Sequence, residues 1–583
     1  MVLAAFIGWG CAAARITRVA QVERDWALCA TWGMAVVLAL GGALALFRLA
    51  NRPALAVVAI IGCGFAIAWF RPRGWDWGLA LILGITLALF YAPAVASRAS
   101  EPYDDFLAYF PYARRFLDTG TLLEPFGLRR LTTYGGQSLL HALSIAVGSE
   151  KNMNLLDCGI AMLILGGLVY GMLRGYLRQP AAVAWTLAVL MVPIVRHNTM
   201  SQATGIVIWL ALYRTVQTRA VVLAGLLLAA LCTLRSNYVL CSGILMAALL
   251  LPLARRFLPL RDWWRLAAVA CGAIVPWSLL LYQSSGSLFY PLFAGFQRPG
   301  YSYSAGIGWA DRMHALFGLL TDPNVLLLVV PLAAATFLIR GAHVPFSAAA
   351  LATSLLVAFY LASADRSSAF RYVQPIAFGS LLIASTAVVR SKRIAILLGC
   401  LMCPVLASYA ITTAKERASA LASLPAQIAD RGAPFPGQID DYRCLESALP
   451  RGASVYTILP LPSLLDYRGR RIFNADFIGC ASPRPGMPFF KGPTEVKRYL
   501  SSLGIEYIAY NHFNRPAVET GYWRWWWRER AAALNPVMGP MVPYVLDLMD
   551  NVDRLATTEE VMYRSNDLTL LHLRRSTTAF VAP

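Results

Sequence analysis

The chain has 583 residues, of which 58% are hydrophobic and only 14% charged, with a mean hydropathy of +0.56. Soluble domains carry about a quarter charged residues, so this composition excludes a water-soluble globule and makes the bilayer the first partner. The net charge of +20 would suit nucleic acid, but from Lys415 onward Lys+Arg number 20 against 17 Asp+Glu, leaving 31 against 14 before it; the excess lies in short loops between apolar blocks, where membrane topology and anionic headgroups place it, and no nucleic-acid partner is expected.

In chain order the apolar blocks predict about fourteen transmembrane helices. They are Val2 to Ala14, Trp26 to Ala50, Pro53 to Phe70, Trp75 to Ala96, Leu155 to Leu173, Ala181 to Val195, Gly205 to Val216 and Val221 to Leu234, then Tyr238 to Ala254, Leu266 to Tyr282, Val325 to Ile339, Phe346 to Ala362, Tyr372 to Val389 and Ile394 to Thr413. The first block lacks the basic start of a secretory signal and reads as a span. With that count every second loop is basic: Arg15, Arg18 and Arg24; Arg71; Arg174; Arg214 and Arg219; Arg255; Arg340; Arg390. The positive-inside rule assigns these to the cytoplasm. The long polar segments then all face outward: 97–154, 284–324, the turn at Ser363 and everything beyond Ala414.

The first outward segment is the most informative. Five of the 14 acidic residues that precede Lys415, namely Glu101, Asp104, Asp105, Asp118 and Glu124, fall within 24 positions. Phe106, Tyr109, Phe110, Ala113, Phe116 and Leu117 recur at helical spacing, the pattern of an amphipathic helix lying in the membrane interface. Capping of a helix N-terminus accounts for one carboxylate, but a pair of adjacent acids at a headgroup surface repels itself and the lipid, which favours a functional pair over a capping one.

From about Lys415 to Pro583 the polarity rises, and "RGASVYTI", "RRIFNADFIG" and "GIEYIAYN" predict short strands of an outward α/β domain. The domain organisation expected is therefore 1–414 in the membrane, with outward loops 97–154 and 284–324, and 415–583 outside. Cys444 and Cys480, the only cysteines in the tail, are the candidates for one disulfide on the oxidising side. "GYWRWWWRER" at Gly521 suits a membrane surface or the stacking of sugar rings. Cys400 and Cys403 fall inside a predicted span and read as packing. The six histidines, His141, His197, His314, His343, His512 and His572, form no metal signature, and no metal is expected beyond a candidate divalent ion on Asp104 and Asp105.

On four stretches the chain resembles the GT-C glycosyltransferases, a superfamily that includes protein O-mannosyltransferases and lipid A aminoarabinose transferases. "DFLAYFPYARRFLDTG" at Asp105 is similar to the acidic element of their first outward loop, which has an aromatic residue four positions on, here Tyr109. "SGSLFYPLF" at Ser285 resembles an outward loop of bacterial members, with Ser287 and Leu288 in place of Asn-Pro. "FRYVQP" at Phe370 resembles an Arg-Tyr-x-x-Pro element opening a late span, and "LRSNYV" at Leu234 a basic-aromatic element of the middle helices. The family has one span before its acidic loop where four are counted here.

The resemblance implies an all-α polytopic fold and transfer of a hexosyl or pentosyl group from a polyprenyl phosphate or diphosphate to a glycan, lipid or protein acceptor, at the outer face of a bacterial cytoplasmic (inner) membrane in cell-envelope assembly. Asp105 is then the candidate general base, with Asp104 orienting the acceptor, tuning the base by repulsion or exchanging roles with it. Arg371, Arg366 and Arg235 are the candidates for the donor phosphate, against lipid snorkelling. Tyr109, Phe289 and Tyr290 are candidates for the substrate channel. A transporter or flippase of lipid-linked sugars is the main alternative, although the sequence shows no internal repeat and few charges deep in its spans, and a non-catalytic scaffold is the third.

Overall fold

A computed structural model describes residues 1–19, 25–71, 76–96, 102–192, 201–251, 258–293, 295–296, 308–338, 341–361, 366–388, 392–429, 436–477, 479–514, 522–531 and 536–574. Every one of the fourteen apolar blocks carries a helix. Among the described residues five helices are long and apolar enough to cross a bilayer: Trp26–Leu46, Arg52–Trp69, Trp77–Ala96, Leu155–Arg174 and Leu260–Ser285. Others, such as Val2–Ile16, Val221–Leu234 and Ser236–Ala248, are apolar but shorter.

The first three helices pack through glycine. An added Cβ at Gly33 would sit 1.7 Å from the Phe6 carbonyl oxygen, one at Gly10 1.8 Å from that of Cys29, and one at Gly8 1.8 Å from that of Gly62. Backbone-to-backbone approach of this kind is how helices associate in lipid, where apolar burial alone gives no advantage over the tails. Trp277 of Leu260–Ser285 is fully buried over Gly42 and donates its indole N–H to the Leu38 carbonyl at 3.0 Å.

The predicted loops sort to the ends of the bundle. Asp25 caps the Trp26–Leu46 helix and meets Arg214 at 2.6 Å. Asp76 caps the helix that begins at Trp77, accepts from Tyr170 at 2.7 Å and lies 3.6 Å from Arg174. These are four of the basic loops assigned to one face. From the other end, Ala50 donates to the Gly120 carbonyl at 3.0 Å, and Tyr134 donates to Leu288, a contact between the segments 97–154 and 284–324.

The amphipathic helix Phe110–Thr119 does not rest on lipid as expected. Tyr112, Ala113, Phe116 and Leu117 are buried in protein, and the remaining polar face carries Arg114, paired with Asp118 at 2.8 Å and Glu150 at 2.5 Å. The periodicity identified an apolar face; what covers it is the rest of this chain.

Beyond residue 415 the helix Lys392–Ala429 continues without a break where the composition changes. A five-stranded sheet follows, β1 Ser454–Ile458, β2 Arg471–Asn474, β3 Tyr507–Asn511, β4 Glu560–Arg564 and β5 Leu568–His572, in the order β2-β1-β3-β5-β4. β1 pairs in parallel with β2 (Val455 opposite Ile472) and with β3 (Val455 opposite Tyr507), whereas β3–β5 and β4–β5 are antiparallel, the latter interrupted between Val561 and Tyr563. The first three strands coincide with the three predicted ones, and β4 and β5 are additional. The sheet is not a separate body: Phe126 of the segment 97–154 packs edge-on against Tyr456 and Phe473, with ring centroids 5.0 and 5.8 Å away.

No disulfide joins Cys444 and Cys480. Cys444 is exposed on the Pro436–Ser447 helix, whereas Cys480 is buried in the core that runs on from the helical part. In the Trp-rich stretch, Tyr522 and Trp527 are buried and Arg524 is committed to Asp550 at 2.9 Å and Asp553 at 2.7 Å, so only part of it, Trp525 among the rest, faces outward. The side chains of Cys400 and Cys403 lie outside the described residues.

Gly33→Val should force the first two helices apart and lower stability by about 1–3 kcal/mol. Gly84→Ala, inside a helix and with nothing within 4 Å of the added Cβ, should not lower stability and should raise it by up to about 1 kcal/mol. Thermal unfolding in one detergent compares them.

Candidate functional site

The segment Pro102–Tyr109 is wound as a wide π-type helix that passes directly into Phe110–Thr119. Adjacent residues on it diverge, and the acidic pair is split accordingly. Asp104 keeps 17% of its side chain exposed and accepts from Arg129 Nε at 2.8 Å, with Arg371 Nη1 at 3.7 Å. Asp105 is fully buried and lies close enough to the Cys158 thiol to act on it electrostatically.

Three of the residues singled out from the sequence converge with Asp104. Arg235 stands in extended backbone between the helices Val221–Leu234 and Ser236–Ala248, and its Nη2 donates to the Tyr109 hydroxyl at 2.5 Å. The Arg235 and Arg371 guanidiniums both lie over the Tyr372 ring, 5.2 and 5.5 Å from its centroid, in cation–π geometry. The Nε of Arg371 is buried without a hydrogen-bond partner. The three residues after Arg235 tie the junction together: Ser236 N–H donates to Thr132, the Asn237 amide to Tyr372 at 2.9 Å, and the Tyr238 hydroxyl to Ser201 at 2.8 Å.

Burial opposes ionisation of Asp104, but the Arg129, Arg371 and Arg235 guanidiniums outweigh it and hold the carboxyl below the usual carboxylate range. At neutral pH the cluster is therefore a carboxylate inside a net positive nest.

Arg129 and its anchor were not legible in the sequence. Arg129 sits on the short helix Leu128–Leu131, its guanidinium over the Phe477 ring at 4.7 Å. Asp476, two residues beyond β2, accepts from the Leu128 N–H at 2.6 Å and the Arg129 N–H at 2.9 Å, with Arg129 Nη1 3.6 Å away. Burial pushes the Asp476 carboxyl up, while Arg129 and these N–H groups pull it back. Beside it the fully buried Glu124 accepts from Arg115 at 2.5 Å and from the Asn474 and Phe126 N–H groups; burial pushes it up to about 7 against those donors.

The remaining candidates are placed differently. The side chain of Arg366 lies outside the described residues. Tyr290 is buried beside Cys480, and Phe289 is partly exposed and packs against Phe293 at 6.2 Å. A divalent ion on the acidic pair does not fit the donor set. Guanidiniums take the two oxygens of Asp104, Asp105 is turned into the core, and among the described residues no three His, Cys, Asp or Glu side chains converge.

No family model matches the chain, and no curated protein matches it in sequence. One solved structure with which it aligns is the archaeal oligosaccharyltransferase AglB from Archaeoglobus fulgidus, in complex with an inhibitory peptide and a dolichol-phosphate: 13% identity over 74% of this chain and 69% of that one, with a TM-score of 0.36. A similarity of that size assigns neither family nor activity.

Asp476→Asn should uncouple Arg129 from the sheet, and breaking a buried pair of this kind costs about 3–5 kcal/mol. The expected readouts are a lower unfolding temperature and faster proteolysis between residues 415 and 453. Asp440→Asn, whose side chain is 81% exposed, is the matched control and should change neither.

Proposed function

We propose that the chain is a polytopic membrane glycosyltransferase of GT-C-like architecture, with the fourteen helices as spans and the sheet outside. It takes a sugar from a polyprenyl phosphate or diphosphate at the outer face of a bacterial cytoplasmic membrane and passes it to a hydroxyl of a glycan, lipid or protein. The observation that carries this reading is the nest of Arg129, Arg371 and Arg235 around Asp104, with a buried Arg371 Nε left unsatisfied. Transport of the same lipid accounts for the arginines but gives no reason for a carboxylate held among them.

On this reading Asp104, rather than Asp105, is the preferred base. Asp105 is sealed in the core, whereas Asp104 is partly open and adjoins the arginine with spare donor capacity. Arg129 holds Asp104 in a direct hydrogen bond; Arg371, at 3.7 Å, is the looser partner. An anionic phosphate ester that engages Arg371 and Arg235 draws positive charge away from Asp104. Its proton affinity then rises at the moment a base is needed. The acceptor oxygen attacks the anomeric carbon as its proton passes to Asp104. The bond from that carbon to the phosphate oxygen breaks, and the electron pair leaves on the phosphate, where the guanidiniums stabilise the growing charge.

Sugar transfer in proteoliposomes tests the assignment. Asp104→Asn should lower kcat by about 10²- to 10⁴-fold, the range of a lost general base, while Asp105→Asn, once shown to insert and fold, should retain most activity. The opposite ranking returns the base to Asp105, and transfer unaffected in both ends the catalytic reading. A second expectation concerns pH. The kcat/KM profile reports the free protein, where the arginines depress Asp104, and the kcat profile reports the donor complex. The acid limb of kcat should lie at higher pH than that of kcat/KM.

A further inference from the structure

We infer that Arg417 and Thr413 form a site for the headgroup of an anionic phospholipid, a bound lipid that holds the helix Lys392–Ala429 against Trp77–Ala96 at the bilayer boundary; this rests on the membrane character of the chain and not on the transferase reading. Thr413 ends the apolar block Ile394 to Thr413, and Arg417 follows one turn later, about 6 Å along the axis. Its guanidinium therefore stands at headgroup level. The helix packs there on Ala92–Ala96 and on the wide turn Leu87–Tyr91 before it. Between Ile411 and Ser419 only Thr413 and Arg417 are buried, 2% and 5% exposed, while their neighbours face outward. Spaced four apart they share one face of the helix, so it docks here on a polar stripe rather than an apolar one.

Both members of the stripe are unsatisfied. The Thr413 Oγ1 and the Arg417 Nε are enclosed without a hydrogen bond, and among the described residues Arg417 has no carboxylate within ion-pair distance. The guanidinium lies over the Phe90 ring, 4.7 Å from its centroid. The groups that act on it electrostatically are the Cys158 thiol and Glu416, the latter exposed and not in contact. Cys158 is also within reach of Asp105, so the site lies at the same end of the bundle as the acidic segment. A guanidinium taken out of water without a partner is costly, and a ring face offsets only part of that cost. The missing partner is an anion. Burial is confined to the stem and Nε; the Nη groups, also without a hydrogen bond, open to the surface, where a headgroup reaches them. At this depth the anion at hand is a phosphodiester, which the guanidinium fork meets with two parallel hydrogen bonds. Lys415, exposed beside the stripe, adds positive charge and favours a headgroup with no ammonium of its own.

The test follows the unfolding temperature of the full-length protein in neutral detergent as dioleoylphosphatidylglycerol, dioleoylphosphatidylcholine or inorganic phosphate is added. Phosphatidylglycerol should raise it saturably, and the other two should not. Arg417→Met keeps an apolar stem over Phe90 and removes the charge. Without anionic lipid this variant should unfold at the temperature of the native chain or above it, because an unpaired buried charge has gone. With phosphatidylglycerol its apparent affinity should be lower by about tenfold or more, the worth of a charge-assisted contact. Thr413→Val should weaken the lipid by about two- to tenfold, as loss of one neutral hydrogen bond does. A methionine variant already less stable without anionic lipid shows that the guanidinium has a partner within the protein, and overturns the site. So does an increment that survives Arg417→Met undiminished or that phosphatidylcholine matches. An increment reproduced in full by inorganic phosphate overturns the lipid as its source. None of these readouts involves sugar transfer, so failure of the transferase reading leaves the lipid site standing, and failure of the lipid site leaves that reading untouched.

Discussion

Asp104 is where it is because Asp476 holds Arg129. The Asp476 carboxylate takes the first N–H groups of Leu128–Leu131, so the short helix has its N-terminus satisfied by a residue nearly 350 positions away in sequence. That fixes the base of the Arg129 side chain, and the guanidinium then spans from Asp476 to Asp104 across the Phe477 ring. A guanidinium suits this relay because its planar fork can serve two carboxylates and a ring face together. Ion pairs this deep repay their desolvation only when most of their hydrogen-bonding capacity is used, and here the anchoring carboxylate also takes backbone donors.

The same economy closes the edge of the sheet. β2 is an outer strand, and an outer strand presents unpaired N–H and C=O groups. Arg115 donates to the Ile472 carbonyl and Glu124 accepts from the Asn474 N–H, while the Asn474 amide reaches the Leu107 carbonyl and the Tyr522 hydroxyl that of Ala475. The segment 97–154 therefore takes the place of a sixth strand by side chains rather than by pairing. Arg115 and Glu124 bond to each other while doing so, which makes the edge a buried polar network that works only when complete. The acidic residues clustered in the sequence thus divide into different tasks: Asp104 faces the arginine nest, Glu124 seals the sheet, and Asp118, its carboxylate buried, pairs with Arg114 and Arg468.

What could be read from the chain was whatever has a local period. The apolar blocks, the first three strands and the density of acids all repeat or cluster within a few tens of residues. Arg371 and Arg235 could be named because boundary arginines stand out beside apolar runs, and the structure brings both to Asp104. Arg129 and Asp476 could not: one is the first of an arginine pair in a loop, the other follows a strand, and only tertiary pairing distinguishes them from solvated charges. β4 and β5 escaped for a related reason, since β4 is exposed along most of its length and has the polarity of a surface segment. The disulfide between Cys444 and Cys480 failed because pairing two thiols requires Cβ geometry, which spacing along the chain does not contain.

The acidic doublet itself carries the most general consequence. Two neighbouring carboxylates suggest one site in which each raises the pKa of the other, and a base tuned by that repulsion. On the winding of Pro102–Tyr109 the two side chains part, one to the arginines and one to the core. Repulsion between them is then not the tuning device. What acts on Asp104 instead is the set of cations around it, which lowers its proton affinity. On the proposed transferase reading, such a base would stay silent in the empty site and be released by the charge of a bound phosphate, making activation and donor recognition the same electrostatic event.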